Sequence, residues 1–70
     1  MDDQNLHKCL LALMRATLEV AQSVNHLTIN AEHGVPVTDQ DKETFRQNRE
    51  EFDKQINLAI DALKAAVTPS

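Results

Sequence analysis

The sequence predicts an all-α fold, a two-helix antiparallel hairpin that dimerises into a four-helix bundle. Three observations carry this expectation. Apolar residues recur every 3.5 positions along two long stretches, the spacing of helices that pack lengthwise on one another as in a coiled coil. Gly34, the only glycine, and Pro36 fall together between those stretches. The 70 residues also hold a single cysteine, so no internal disulfide can supplement a core that at this size supplies only about 3–5 kcal/mol.

The first helix is expected at about residues 4–33. Asp2 and Asp3 stand where they would cap it and complement its dipole. Its seam runs through Leu6, Leu10, Leu13, Thr17, Val20, Val24, Leu27 and Ala31 in alternating steps of four and three. A second apolar stripe, Leu11, Met14, Leu18 and Ala21, runs beside it and turns polar at Asn25. Cys9 lies next to the seam and reads as a small buried hydrophobe, since no strong positive field surrounds it in sequence.

Residues 34–38 form the turn. Gly34 suits the left-handed position that ends a helix, and Pro36 forbids its continuation. Thr38 with Asp41 three residues later is a helix start signal. The second helix follows at about 39–67, with a seam at Phe45, Arg49, Phe52, Ile56, Ala59, Leu63 and Ala66. Two helices of matched length on a short connector make one hairpin domain over residues 1–70.

Antiparallel pairing puts the leucine-rich start of the first helix beside the apolar end of the second. Both are apolar on more than one face, and two helices can hide only one face each. The surplus predicts a homodimer, with Leu11, Met14, Leu18, Ile60 and Val67 at its interface. The turn end is densely charged. There Phe45, Arg46 and Arg49 combine an aromatic with arginines beside exposed valines, features that docking sites favour. They are the candidate partner-binding residues, although Phe45 also begins the second seam.

The same reading limits function. The net charge of -4 argues against a nucleic-acid partner, whose phosphates demand basic surface. The aromatics number only Phe45 and Phe52, too few for base stacking. No apolar run approaches the ~20 residues of a membrane span. His26 and His33 are seven apart, whereas a helical metal site favours a spacing of three or four. No nucleophile–base pair, phosphate loop or paired cysteine occurs. The expectation is therefore no enzyme, no cofactor, no metal site, and a cytoplasmic location in the absence of a signal peptide. The chain reads as a small protein-interaction module that inhibits, chaperones or adapts another protein. Phage-encoded inhibitors of host proteins and secretion co-chaperones are of similar design. The alternative is an RNA-binding dimeric hairpin, for which Lys42, Arg46 and Arg49 supply a short basic line.

Overall fold

The structure, a computed structural model, describes residues 3–68. Among them are two helices and no strand: α1 (Asp3–Glu32) and α2 (Asp39–Val67). Asp3 stands in the first turn of α1, while the cap expected of Asp2 and the tail at Pro69 and Ser70 lie outside the described residues. The termini between the helices are closed by local chemistry. At the end of α1 the Val35 N–H reaches back to the Asn30 carbonyl (2.8 Å) and the Gly34 N–H to the Ala31 carbonyl (3.2 Å). These two bonds satisfy carbonyls that a helix end leaves without partners, and they require a left-handed residue at Gly34, whose φ is 65°. At the start of α2, Thr38 and Asp41 form a reciprocal capping box: Asp41 N–H donates to Thr38 Oγ1 (3.1 Å) and Thr38 N–H to Asp41 Oδ2 (3.0 Å).

The helices lie antiparallel. Ser23 meets Asn48, His26 meets Asp41, and Cys9 and Ala12 pack against Ala59, so partners descend along α2 as they ascend along α1. The result is a slab of 55 × 18 × 11 Å.

The contact line between the helices departs from the expected seams. On α1 the buried residues are Cys9, Ala12 and Ala16, continued by the half-buried Glu19, Ser23, His26 and Asn30. Each stands one position before a residue of the expected seam. From Leu10 onward that seam, including Leu13, Val20, Val24 and Leu27, is exposed, and Leu13 keeps 42% of its surface open; only Leu6 at its start is half-buried. On α2 the line runs through Asp41, Thr44, Asn48, Glu51, Gln55, Ala59, Ala62 and Ala66. Ala59 and Ala66 were expected there; Phe45, Phe52 and Ile56 are half-buried at its flank, and Arg49 and Leu63 are exposed.

The reason is steric and electrostatic. Two stripes of period 3.5, one residue apart, share the same helix, and spacing alone cannot tell which faces the neighbour. Alanine, cysteine and serine let two backbones approach closely, so the small stripe takes the contact while the bulky one is turned about a quarter circle aside. The polar members of the small stripe then find partners across the contact. Asn48 Nδ2 donates to Ser23 Oγ (3.0 Å) and Asn30 Nδ2 to Asp41 Oδ2 (3.2 Å).

Gln55 is the exception. It is the buried polar residue of the contact, 7% exposed. Its amide N–H₂ donates to Glu51 Oε1 (2.9 Å), but its Oε1 is buried without a partner. An orphaned buried acceptor costs on the order of 1–3 kcal/mol. Gln55→Met keeps the shape and removes that atom, at the loss of one partly exposed bond to Glu51. We expect a net gain of about 1 kcal/mol, read as a rightward shift of the urea midpoint. A loss of stability would mean that Oε1 has a donor in solution.

Candidate interaction surface

One broad side of the hairpin is apolar. Stepping one residue past the contact line turns each helix by about 100°, and in an antiparallel pair both turns lead to the same side. The exposed seam of α1 and the flank of α2 therefore share a face. Its centre is a shallow groove between the helices, lined from α1 by Glu19, Val20, Val24 and Leu27 and from α2 by Phe45, Arg49 and Phe52. Phe45 is fixed there by an edge-to-face contact with His26 (ring centres 5.0 Å, 68° between planes). Beyond Val20 the face continues over Thr17, Leu13 and Leu10, which form a second apolar depression with Met14 and Leu18.

The opposite side is largely polar. Gln47 and Glu50 of α2 lie there, as do Arg15 and Gln22 of α1 by the same rotation. The two sides thus differ in kind, as the inner and outer surfaces of a bundle do.

The residues expected at a dimer interface are all exposed: Leu11, Met14, Leu18, Ile60 and Val67. Leu11, Met14 and Leu18 form a stripe at spacings of three and four on the side of α1 turned away from α2. Ile60 and Val67, one position past the buried Ala59 and Ala66, stand on the broad apolar face beside Leu63. The hairpin thus holds Ile60 and Val67 on the apolar face and the Leu11 stripe on the back of α1, and does not bring the two groups together.

The candidate partner-binding residues divide as well. Phe45, Arg46, Arg49 and Lys42 line one small depression, but only Phe45 and Arg49 also line the apolar groove. Arg46 turns outward and is held by Glu43 and Glu50, with Nε donating to Glu43 Oε2 at 2.9 Å. The hydrogen bonds and charges of those carboxylates raise its pKa above the ordinary guanidinium value. The Arg46 hydrogen bond in turn holds Glu43 below the usual carboxylate range. One charge of the basic line is thus already matched within α2. The Arg49 guanidinium makes no ion pair or hydrogen bond among the described residues.

A polar cluster at the turn end was not foreseen. His26 Nε2 lies 2.8 Å from Asp41 Oδ1, and Asn30 and Thr38 donate to Asp41 Oδ2. The sequence does carry a signal for it. His26 and Asn30 are four apart on one face of α1, and the short turn returns the capping acid of α2 to that face. His33, exposed beyond the last turn of α1, takes no part. Among the described residues no group of three or more histidines, cysteines or acids is placed to hold a metal ion. Among the described residues no helix is long and apolar enough to cross a membrane.

Asp41 has a lowered pKa, chiefly through the Thr38 N–H and further through His26, with burial opposing. A depressed carboxylate contributes stability above its unfolded value, which is lost as pH falls through the folded one. Asp41→Asn should therefore melt below the native chain at pH 7, and the gap should narrow below about pH 4. A gap that is constant from pH 7 to 3 would show that the carboxylate charge contributes nothing. Thr38→Ala removes the other half of the box and should cost about 1 kcal/mol.

No known protein family matches this chain, and no characterised protein or solved structure does.

Proposed function

We propose that the chain is a non-catalytic interaction module that pairs with a second copy of itself and, as a dimer, docks on another protein to inhibit, chaperone or adapt it. One observation carries this reading. The interior of the hairpin is built from alanines, a cysteine and polar residues, while Leu10, Leu13, Met14, Leu18, Val24 and Val67 stand open to solvent. An isolated hairpin so arranged leaves most of its leucines and valines open to water, and a contiguous apolar face of this kind marks a surface for other polypeptide. The shallow groove is far from the enclosed pocket that catalysis needs.

Protein is the favoured class of target over RNA. The chain carries 11 acidic and 7 basic residues, and Arg46 is already engaged by two carboxylates. Sedimentation between micromolar and high-micromolar concentration should show reversible association with no change in helix content. A cooperatively folded monomer of 7.9 kDa throughout would sink the dimer reading. Tight RNA binding with a steep dependence on salt would displace the protein-target reading in favour of the nucleic-acid alternative.

A further inference from the structure

We infer that the occupant of the broad apolar face is a second copy of this chain, laid face to face with open ends together, and that Glu19 and Arg49 fix its register by pairing across the interface. The inference rests on the proposed dimer and deepens it by naming the face, the orientation and the specifying residues.

Area is the first argument. The hairpin exposes 5314 Å², whereas a compact folded chain of this mass exposes about 4,400 Å². The excess of roughly 900 Å² matches the ~800 Å² that each partner buries in a stable interface of standard size. One further hairpin is enough to cover it.

Charge is the second argument, and it distinguishes a second copy from an unrelated protein. The residues that line the central groove include one acid, Glu19, and one base, Arg49. Neither makes an ion pair or a side-chain hydrogen bond within the hairpin among the described residues. A face bearing one charge of each sign is complementary to itself under a two-fold axis, because residue i then meets j and j meets i. The levels agree. Asn48 lies opposite Ser23, so Glu19, one turn before Ser23, stands within about one turn of Arg49 along the bundle.

A two-fold axis parallel to the helices preserves those levels and lays α1 of each copy on α2 of the other. Each Glu19 then faces the Arg49 of the second copy, and the leucine-rich open ends coincide. Phe45 and Phe52 on either side of Arg49 shield the pair from solvent.

The decisive experiment uses Glu19→Arg and Arg49→Glu, alone and mixed, with the dissociation constant measured by sedimentation equilibrium and helix content by circular dichroism. Each single variant places like charges opposite each other twice per dimer and should weaken self-association about tenfold or more. An equimolar mixture restores both opposite-charge pairs in a heterodimer and should recover nearly native affinity. Pairing within one chain could not be rescued by mixing, so weakened single variants with no recovery overturn the register.

Val24→Glu and Leu18→Glu test the face itself. Val24 lies in the groove and Leu18 on the outer edge of α1. Val24→Glu should abolish the dimer and Leu18→Glu should leave it intact; the reverse pattern overturns this face while the dimer reading stands. A native chain that stays monomeric overturns both.

Discussion

Ala16→Leu should be among the most damaging single substitutions in the hairpin, although it adds an apolar side chain to an apolar helix. Ala16 is 1% exposed, enclosed between α1 and α2. A leucine there has no cavity to enter and must push the helices apart or adopt a strained rotamer, at about 1–3 kcal/mol. The displacement should also loosen the Asn48–Ser23 bond two turns along α1. In a domain whose whole core supplies only a few kcal/mol, that loss is enough to abolish cooperative unfolding. The control is one residue away. Thr17 is exposed and its hydroxyl only returns to the Leu13 carbonyl of its own helix. Thr17→Leu should be neutral or mildly stabilising, because leucine is the better helix former. Urea titrations of both variants read the difference directly. If Thr17→Leu proves the more harmful, the contact line runs through the leucine seam and not through the alanines.

That one-residue shift shows what was legible in the sequence. The helix boundaries were, because their signals are local: glycine where φ must be positive, proline where a helix must stop, threonine and aspartate where backbone N–H groups need acceptors. The hairpin was legible because a short turn between equal helices leaves little alternative. The register of the contact was not. Cys9, Ala12 and Ala16 have the same period as Leu10, Leu13 and Thr17, and apolar counting favours the bulkier set. The choice between them follows from how closely two backbones can approach, a pairwise property that one helix's pattern does not contain. The polar pairs offered a clue, since Ser23, His26 and Asn30 continue the alanine stripe and have complementary residues at matching levels of α2. For the candidate sites the same logic divides the outcome. Arg46 was singled out for its charge, but its matching acids at three and four residues were equally visible. Arg49 differs because Phe45 and Phe52 flank it on the groove side of α2.

Leu13→Ala is expected to have an effect that depends on protein concentration, and this separates the roles of the two stripes. Within one hairpin Leu13 is 42% exposed and lines a depression with Leu10 and Met14. Truncating it there removes only part of a full burial, so in solution dilute enough to part the proposed dimer the cost should stay under about 1 kcal/mol. In the proposed dimer the second hairpin closes over the face and Leu13 becomes interior. A Leu→Ala change in such a setting costs about 2–5 kcal/mol, because the lost transfer energy is joined by the cavity left behind. Each dimer carries the change twice. Thermal melts of the native chain should rise with concentration, as they must when folding is coupled to association. Those of Leu13→Ala should rise much less, so the two curves diverge as the protein is concentrated. Equal cost at every concentration would instead place Leu13 in a contact made within the single chain. A negligible cost throughout would leave the face solvated and remove the physical ground for the bundle.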